Sequence, residues 1–543
     1  MANIKFSRKI FEKEIGKLDA DMQNRIAMFG TTLESFNDKE IEIEIFPDRP
    51  DLLSYQGFKR SFLAFLGKKT GLKKYELKKP EKDYKVIIDK SVKDIRPYTA
   101  CAIVKGLKLD DEKIKELIDI QEKLHTTIGR KRKKFAIGIY PLEKIKLPIT
   151  FKAIEPDKIR FIPLETEREM SGLEILQRHP TGRDYAHLLA GKTKFPIFVD
   201  SNNNILSMPP IINSQLTGKI TETTKEVFIE CSGFDFKILK KCLNILITTL
   251  ADMDGIVYQM ELVGLKETTP DLTPEKMKLS LENTNKLLGL ALKEKELGLL
   301  AEKMGLSYEK GIISIPAWRV DVLHEVDLIE DIAIAYGYEN FIPEIPKISS
   351  IGEEDKKETI KRKISEILAG LNLLEISNYH LTKKSDQFEK MGISEKEAGE
   401  FVEIEDSKTE FNILRKDLTH YLLKIFSENV DAEYPQSIFE IGRVFEEYNE
   451  KDKLALGISP GNFTQAKQIL NSLSKMSNAE LKLEESENFP GWFIDGRVAE
   501  IFMEKKKIGY IGEIHPRILK NWKLKMPVAL FEIDLEEIFK KLI

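Results

Sequence analysis

The stretch WRVDVLHEVDLIEDIAIAYGY, from Trp318 to Tyr338, constrains the interpretation of this chain more than any other segment. If it is helical, Asp327, Glu330 and Asp331 stand at positions i, i+3 and i+4, and their carboxylates share one face. Asp321 lies six residues before Asp327, at the end of a run that resembles a strand. Like charges at helical spacing repel by roughly 0.2–0.5 kcal/mol per pair, so a compensating feature is expected.

Two explanations of this acidic face are open on spacing alone. Carboxylate oxygens bind hard divalent cations, and Mg²⁺ often takes one or two carboxylates together with waters. A solvated acidic surface explains the same pattern without a ligand. The opposite side of the helix is apolar, through Leu328, Ile332 and Ala335, so the helix is expected to pack on a core and present its acids outward.

The length and composition indicate an ordinary multidomain globular protein. At 543 residues the chain is too long for one hydrophobic core, and three or four domains are expected. The 85 basic and 89 acidic side chains nearly cancel, so contact with nucleic acid must come from local patches. The three cysteines, Cys101, Cys231 and Cys242, show no metal-ligand spacing and no disulfide framework, which is typical of a reducing compartment. The sequence contains neither a signal peptide nor a membrane-length apolar run, which predicts a cytoplasmic protein.

Local patterns near the start predict a strand followed by a helix. The segment KEIEIEIF, residues 39–46, alternates charged and apolar residues, as a half-buried strand does. Pro47 and Pro50 forbid a helix in the next segment. Ser54 is placed to begin the following helix, and Gly67 is placed to end it.

The order of elements predicts an α+β multidomain fold. Short strand-like runs mix with helical segments up to about residue 265. The proline-bearing segments 268–275 and 341–352 are interpreted as linkers, and between them a strand, two helices and a hairpin at residues 309–311 resemble a winged-helix module. Four domains are expected, namely an N-terminal α/β domain, a second mixed α/β domain, the winged-helix-like domain and an antiparallel-sheet domain, at residues 1–85, 86–267, 268–345 and 346–543.

The acidic segment resembles a motif of the phenylalanyl-tRNA synthetase beta-subunit family, in its archaeal and eukaryotic form. Five further blocks resemble motifs of the same family, in the family's order and spread over nearly the whole chain. They are EIFPDRPDLLSYQGFKRSFLAFLG (Glu44–Gly67), LHTTIGRKRKKFAIGIY (Leu124–Tyr140), ILSMPPIINSQLT (Ile205–Thr217), IGYIGEIHPRIL (Ile508–Leu519) and PVALFEI (Pro527–Ile533). A chance match to all six blocks is not plausible.

The resemblance implies that residues 86–267 form an editing domain, which hydrolyses tyrosine wrongly attached to the tRNA. A hydrophobic phenylalanine site rejects one added hydroxyl by only about 10²-fold, so a second pocket that hydrogen-bonds the phenol is useful. The candidates are Ser207, Glu230 and Ser232 as catalytic or recognition residues and Phe198 as an apolar wall. Glu230 and Ser232 are two apart in a strand, so their side chains can share one face.

A basic run and one departure from the family pattern stand close together. Residues 130–134, RKRKK, are the densest positive charge in the chain, and such a run either contacts phosphates or forms a solvated loop. The resemblance to a tRNA synthetase subunit favours RNA contact. The family usually has an aspartate after the following strand, where this sequence has Pro141, so any hydrogen bond from that carboxylate is missing.

By the same resemblance, residues 346–543 form a degenerate class II synthetase catalytic module. A working module needs arginines that hold the ATP phosphates by charge-assisted hydrogen bonds. The segment around Arg415 only faintly resembles the first arginine motif, and the segment around Arg497 has no glycine-rich run before it. We therefore expect that the chain does not activate phenylalanine and that this domain offers an apolar face to an alpha subunit.

The resemblance as a whole implies a subunit that works with an alpha subunit, in a heterotetramer of two alpha and two beta chains. That complex joins phenylalanine to its tRNA with ATP, bound in the alpha subunit, and Mg²⁺. Its Mg²⁺ site would use Asp321, Asp327, Glu330 and Asp331, with the alpha chain completing the ligand shell. Two alternatives are a free-standing deacylase of mischarged tRNA and a nucleic-acid-binding scaffold that uses the winged-helix-like domain and the basic run.

Overall fold

The chain divides into two units, residues 1–345 and 346–543. The computed structural model describes residues 2–347, 351–394, 396–446, 449–485 and 488–543. Each unit buries hydrophobic clusters of its own. The mixed α and β multidomain fold expected from the sequence is confirmed.

The first unit begins with a small antiparallel sheet covered by helices. Its elements are β1 (Ala2–Ser7), α1 (Arg8–Glu14), α2 (Ala20–Met28), β2 (Thr32–Phe36), β3 (Glu40–Ile45) and α3 (Tyr55–Phe65), with strand order β1-β3-β2. In β3 the three isoleucines are buried and the glutamates are not, as the alternation predicts. Ser54 caps α3, because its side chain accepts a hydrogen bond from the Gly57 N–H.

A large mixed sheet forms the middle of this unit. Its order is β13-β12-β11-β8-β5-β15-β6-β14-β7, with β4 and β16 pairing to β15. The strands are β4 (Leu77–Lys78), β5 (Lys85–Ile88), β6 (Tyr98–Lys105), β7 (Phe135–Pro141), β8 (Ile149–Ile154), β11 (Phe195–Val199), β12 (Ile205–Met208), β13 (Ile212–Asn213), β14 (Val227–Gly233), β15 (Ile256–Val263) and β16 (Glu267–Thr269), and β9 (Arg160–Phe161) and β10 (Met170–Ser171) pair separately. The helices are α4 (Asp111–Thr126), α5 (Gly172–Arg178), α6 (Pro180–Tyr185) and α7 (Phe236–Ala251).

Strand β14 is the best-buried strand of this sheet and positions the candidate site. All seven of its residues are buried, and it pairs antiparallel with β6 on one side and β7 on the other. Helix α7 follows it directly and is capped by Asp235, whose carboxylate accepts from two backbone N–H groups. A polar side chain carried by β14 is therefore held in a rigid, largely dry environment.

A small three-stranded module completes the first unit. It consists of β17 (Glu275–Lys278), α8 (Leu281–Leu288), α9 (Glu294–Lys303), β18 (Ser307–Glu309), β19 (Ile312–Ile315) and α10 (Glu325–Tyr336), with sheet order β17-β19-β18. The hairpin turns at residues 309–311, as predicted, and Gly311 has a φ of +79°. Two expectations were wrong. Residues 268 and 269 are not a linker but pair with β15, and β19 ends before Pro316, so Asp321 lies in a loop and not at a strand end.

The second unit is built on a long, mostly antiparallel sheet. Its order is β20-β23-β24-β28-β27-β26-β25, and helices cover it in two hydrophobic clusters. The elements are α11 (Lys356–Gly370), β20 (Leu374–Glu375), β21 (Leu381–Lys383), β22 (Phe411–Leu414), α12 (Thr419–Glu428), β23 (Gln436–Glu446), β24 (Asn449–Ser459), α13 (Phe463–Met476), β25 (Leu481–Glu485), β26 (Phe493–Met503), β27 (Lys506–Ile514), α14 (Pro516–Asn521), β28 (Ala529–Asp534) and α15 (Glu536–Leu542). Within the ranges that the structure describes, no helix combines the length and the apolar character needed to span a membrane.

Candidate functional site

A cavity of about 540 Å³ opens beside the large sheet of the first unit, and we call it the Glu230 cavity. Such a volume is in the range of small-molecule sites, roughly 300–1,000 Å³. Strands β7, β12, β13 and β14 and helix α4 contribute side chains to its wall. The apolar residues that line it include Ile137, Ile139, Pro210 and Ile211, and the polar ones include Arg132, Ser207, Asn213 and Glu230.

Glu230 is held in the middle of β14. It pairs with Cys101 of β6 on one side and with Gly138 of β7 on the other. Glycine is needed at position 138, because a Cβ there would lie 2.7 Å from Oε1 of Glu230. The Glu230 side chain is buried, and its Oε2 has no hydrogen-bond partner within the described part of the chain. Burial raises the pKa of this carboxyl to about 8, so it is mostly protonated at pH 7.

Tyr140 shares the polar corner of the cavity with Glu230, and the sequence reasoning did not single it out. Its hydroxyl donates to Ser207 Oγ at 2.7 Å and lies 3.4 Å from both Glu230 Oε1 and Asn213 Oδ1. Burial and the neighbouring Glu230 raise the pKa of Tyr140 well above its ordinary value. Strand alternation could have pointed to Tyr140, because Gly138 and Tyr140 are two residues apart and therefore share a face of β7.

Two of the predicted pocket residues do not line the Glu230 cavity. The Ser232 hydroxyl accepts a hydrogen bond from Nε of the buried Arg96 at 3.1 Å, and the Arg96 guanidinium also bonds the Ser232 carbonyl. Phe198 is fully buried with its ring stacked on Phe151, at a centroid distance of 4.3 Å. The structure thus brings Ser207 and Glu230 to the cavity, while Ser232 is held by Arg96 and Phe198 belongs to the core.

His125 and Arg132 fix the rim of the Glu230 cavity. The Ile137 N–H donates to Nε2 of His125 at 2.8 Å, so Nδ1 carries the ring proton and donates to Glu122. Arg132 bonds Glu122 at 2.8 Å and the Ile211 carbonyl at 2.8 Å. Burial opposes ionisation of Glu122, but the His125 hydrogen bond and the Arg132 charge lower its pKa to about 2. Both His125 nitrogens are engaged, so its role is structural.

The basic run predicted from the sequence forms the turn between α4 and β7. Residues 130–132 have positive φ angles of 48°, 53° and 63°, which are uncommon for non-glycine residues. Arg132 is the member of the run that is drawn inward, and its guanidinium lies 4.5 Å from the Tyr185 ring. Arg130, Lys131 and Lys133 are exposed. The run therefore supplies exposed cations at the edge of the Glu230 cavity.

The acidic segment is organised around Arg319, which follows Trp318 in the sequence and was not used in the sequence reasoning. Its guanidinium is buried and donates to Asp321 from Nε at 2.8 Å and from Nη2 at 2.6 Å. Nη2 also donates to Asp331 at 2.9 Å. The compensation expected for the clustered carboxylates is thus a buried arginine between two of them.

Asp327 and Glu330 are held differently from the two aspartates on Arg319. One oxygen of Asp327 accepts from the Leu323 and His324 N–H groups at 2.7 and 2.8 Å, which caps α10. Glu330 is exposed. Partial desolvation of the Glu330 carboxyl and the charges of Asp331 and nearby carboxylates raise its pKa.

As a metal site, the four carboxylates do not form a complete ligand shell within this chain. Arg319 occupies oxygens of Asp321 and Asp331, and the start of α10 occupies one oxygen of Asp327. Within the described residues, no group of three or more His, Cys, Asp or Glu side chains is placed to hold a metal ion. Any cation there needs further ligands from outside the chain and a rearrangement around Arg319.

In the second unit, the two arginines considered for ATP binding are already paired. Arg415 is 2% exposed and donates to Glu440 at 2.6 Å and to the Arg443 carbonyl at 2.7 Å. Arg497 is exposed and pairs with Glu513 at 2.6 Å. The Arg415 guanidinium is therefore part of the core of this unit.

Three domain families match consecutive parts of the chain. The B3/4 domain matches residues 84–253, the tRNA synthetase B5 domain matches residues 277–338, and the phenylalanyl tRNA synthetase beta chain CLM domain matches residues 342–535. Together with the cavity and the paired arginines, these matches define the class of protein as a subunit of an aminoacyl-tRNA synthetase.

Full-length relatives give the particular family. The phenylalanine–tRNA ligase beta subunit of Thermococcus sibiricus is 40% identical over 511 residues, and that of Pyrococcus furiosus is 41% identical over 509 residues. Both alignments cover 91% of this chain and 90% of the relative. The chain therefore belongs to the phenylalanine–tRNA ligase beta-subunit family, a component of an aminoacyl-tRNA ligase. A crystal structure of an N-terminal fragment of the Pyrococcus horikoshii phenylalanyl-tRNA synthetase beta subunit is similar at a TM-score of 0.59 and 38% identity, covering 62% of this chain and 99% of the fragment.

Proposed function

We propose that the Glu230 cavity binds the aminoacyl end of a mischarged tRNA and that the chain hydrolyses tyrosine wrongly attached to it. The observation that carries this proposal is Glu230 in the wall of a cavity of about 540 Å³, with an Oε2 that meets no hydrogen-bond partner among the described residues. A buried polar group without a partner costs about 1–3 kcal/mol, and a ligand hydroxyl that reaches it recovers that cost. Tyrosine carries such a hydroxyl and phenylalanine does not.

This chemistry protects the correct product. A site built to hydrogen-bond a substrate hydroxyl rejects the analogue that lacks it by about 10⁴–10⁵-fold. Glu230 accepts or donates a hydrogen bond according to its protonation state, and its pKa of about 8 allows both near neutral pH. Phenylalanine in the same place would leave Glu230 unpaired, so correctly charged tRNA is spared.

In the proposed reaction a water oxygen bonds to the ester carbonyl carbon, and the ribose oxygen leaves and takes up a proton. The products are free tyrosine and uncharged tRNA. His125 does not serve as the base, because both of its ring nitrogens are engaged. We assign Glu230 to recognition of the phenol, with Ser207 as its polar neighbour in the cavity.

The test compares deacylation of tyrosyl-tRNA by the complex with the alpha subunit, using wild type, Glu230→Gln and Glu230→Ala. Both variants should clear tyrosyl-tRNA at least about 10-fold more slowly, as expected when one hydrogen bond to the substrate hydroxyl is lost. Phenylalanine charging should be unchanged. The exposed Glu222 gives a matched control as Glu222→Gln. Unchanged clearance by both Glu230 variants would refute the assignment.

We further propose that the chain acts in the cytoplasm with an alpha subunit, in a heterotetramer of two alpha and two beta chains that binds tRNA. Phenylalanine and ATP would bind in the alpha subunit. The buried pairing of Arg415 with Glu440 supports this division, because a guanidinium enclosed in the core is not placed to hold a phosphate. The exposed Leu374 and Tyr379 of the second unit support a role of this unit in contacting a partner.

We also propose that a Mg²⁺ site at Asp321, Asp327, Glu330 and Asp331 forms only in the complex. The exposed carboxylate of Glu330, surrounded by other acids, supports it. Titration calorimetry should detect Mg²⁺ binding to the complex but not to the isolated chain, and the double variant Asp327→Asn, Asp331→Asn should abolish it. Equal Mg²⁺ affinity in the double variant would remove the proposal.

The division of the chain into domains at residues 1–85, 86–267, 268–345 and 346–543 is likewise a proposal. In it, residues 86–267 form the editing domain, residues 268–345 a winged-helix-like domain and residues 346–543 an inactive class II synthetase-like domain. The antiparallel sheet with helices in the second unit and the strand, helix, helix, hairpin order of β17 to β19 support it.

A further inference from the structure

A second cavity, of about 470 Å³, lies in the first unit away from Glu230. Helix α3, the segment 69–73, the end of α7 and the loop after β19 contribute its wall. We call it the Arg60–Arg319 cavity, after two buried arginines among its lining residues. No motif in the sequence points to this cavity, and among the described residues it shares no lining residue with the Glu230 cavity.

Arg60 carries donors that nothing in the described structure satisfies. Its side chain is 7% exposed, and Nη1 donates to Asp252 at 2.6 Å and to the Tyr75 hydroxyl at 2.9 Å. Nε and Nη2 are buried and meet no acceptor among the described residues. The centre of the Trp318 ring lies 4.6 Å from the guanidinium carbon, and this contact stabilises part of the charge.

Arg319, in another part of the wall, is also a buried arginine with a donor that lacks an acceptor within the described residues. Its Nε and Nη2 are bonded to Asp321 and Asp331, whereas Nη1 is buried and has no acceptor in the described parts of the chain. Two guanidinium groups that line one cavity thus keep donors that are unpaired within the described part of the chain. Leaving a buried charged donor unpaired costs more than the roughly 1–3 kcal/mol of a neutral group, so this arrangement favours an anionic ligand.

The wall carries several further cations, of which Lys59 pairs with Glu14 and Arg319 with Asp321 and Asp331. Among the described lining residues, the cations outnumber the carboxylates: Lys59, Arg60, Lys69, Lys73 and Arg319 face Asp252 and Asp254. Asp252 is engaged by Arg60, Lys73 and Tyr75. Lys69 is exposed and forms no ion pair with any residue that the structure describes. Planar, multi-donor guanidinium groups fit phosphate oxygens, and Lys69 adds a cation without an ion-pair partner among the described residues.

The wall is built from four stretches of the first unit that are far apart in sequence. The Gly71 N–H donates to the Glu302 carbonyl at 2.7 Å, which fixes the segment 69–73 against the end of α9. Tyr75 packs edge-on against Trp318, with ring centroids 5.3 Å apart. A ligand that bridges Arg60 and Arg319 would therefore tie α3 to the acidic segment.

We propose that the Arg60–Arg319 cavity binds a phosphate group, held by the unpaired donors of Arg60 and Arg319 and attracted by Lys69 and Lys73. The phosphate belongs either to a small phosphorylated molecule or to the backbone of an RNA. The volume of the cavity exceeds that of a phosphate ion, so the rest of a ligand has room beside it.

Inorganic phosphate titrated into the full-length chain by calorimetry, against chloride at equal ionic strength, tests the proposal. Phosphate should bind and chloride should not. The variant Lys69→Glu changes only an exposed side chain, and it should weaken phosphate binding at least about 10-fold by charge reversal near the ligand. The exposed neighbour Lys74, outside the cavity wall, gives the matched control Lys74→Glu, which should stay within about 2-fold of wild type.

A second variant, Arg60→Gln, removes the guanidinium and should abolish phosphate binding in protein whose circular dichroism spectrum is unchanged. If Arg60→Gln does not fold, Lys69→Glu decides the matter alone. Competition identifies the source: displacement by a phosphomonoester indicates a small ligand, and displacement by a short oligoribonucleotide indicates RNA. Phosphate binding that is absent, or equally weakened in Lys69→Glu and Lys74→Glu, overturns the proposal. Glu230→Gln should leave phosphate binding intact, which separates this result from the editing proposal.

Discussion

The hydroxyl of Tyr140 lies 2.7 Å from Oγ of Ser207, so the polar corner of the Glu230 cavity is organised around a phenol that belongs to the chain itself. Asn213 and Glu230 stand 3.4 Å from the same oxygen. The groups expected to hydrogen-bond a substrate phenol are therefore held in place by a phenol of the chain itself, that of Tyr140. Among the fully buried polar atoms of this corner that the structure describes, Oε2 of Glu230 lacks a hydrogen-bond partner.

Removing the Tyr140 hydroxyl should cost stability through this corner. Tyr140→Phe leaves Ser207 without its donor, and a buried hydrogen bond contributes about 1 kcal/mol. Denaturant unfolding should show that loss, and Tyr338→Phe, at an exposed tyrosine, should show none. In the Ser207→Ala background the Tyr140→Phe cost should largely vanish, because the two groups act through one bond. Additive costs in the double variant would contradict the coupling.

Glu230 should make the stability of the first unit depend on pH. Its pKa is about 8 in the folded chain against an ordinary value near 4.5, so the folded state holds a proton that the unfolded state has released. Stability contributed by the protonated form is present below pH 4.5 and is lost as the pH rises towards 8. The slope is at most about 1.4 kcal/mol per pH unit.

Glu230→Gln removes this dependence, because an amide does not titrate. Between pH 5 and about pH 8, the free energy of unfolding of the variant should rise relative to that of wild type. Above about pH 8 the difference between the two should stay constant up to pH 9. Glu222→Gln should follow the wild type throughout. Parallel curves for Glu230→Gln and wild type below pH 8 would show that the carboxyl is ionised in the folded chain.

Arg319 should be among the most sensitive positions of the first unit. Arg319→Met leaves the Asp321 and Asp331 carboxylates buried without their cation, and breaking a buried ion pair in this way costs about 3–5 kcal/mol. Lys115→Met removes an exposed pair with Asp111 and should leave the denaturation midpoint close to that of wild type. Similar midpoints in denaturant for the two variants would mean that Arg319 does not compensate the acidic segment.

The isolated chain should show no phenylalanine-dependent exchange between ATP and pyrophosphate. Arg415 is buried and bonded to Glu440, so it makes no charge-assisted bond that could orient the ATP phosphates. Exchange should appear on addition of the alpha subunit and persist in Arg497→Ala. Mass spectrometry should show that the purified chain is free of alpha subunit. If that preparation catalyses the exchange, the proposal that the alpha subunit holds the synthetic site is wrong.

Local sequence patterns predicted the local structure well. The alternation in residues 39–46 gave the strand Glu40–Ile45 with its isoleucines buried, and Ser54 caps the helix Tyr55–Phe65. The spacing of Asp327 and Asp331 correctly predicted α10, residues Glu325–Tyr336. These features depend on neighbours within a few residues, which is the range over which periodicity and capping act.

The site was predicted less well where partners are distant in sequence. Strand alternation put Glu230 and Ser232 on one face, but Arg96, 136 residues from Ser232, occupies the Ser232 hydroxyl. Phe198 has the apolar character expected of a wall, yet Phe151 of the neighbouring strand covers it. The sequence pattern of the acidic segment showed the clustered carboxylates but not their counter-ion. That counter-ion is Arg319, whose burial next to Asp321 and Asp331 only the structure shows.

The amino-acid sequence by itself determined the family, the element types and the residues able to carry chemistry. Only the tertiary structure decided which of these groups meet, since Tyr140 and Ser207 are 67 residues apart and touch only because β7, β14 and β12 converge on one cavity. Burial then set the chemistry, because it raises the pKa of Glu230 and leaves donors of Arg60 and Arg319 without acceptors among the described residues. Periodicity fixes the direction in which a side chain points, but the free energy of a charge depends on the groups that fold around it.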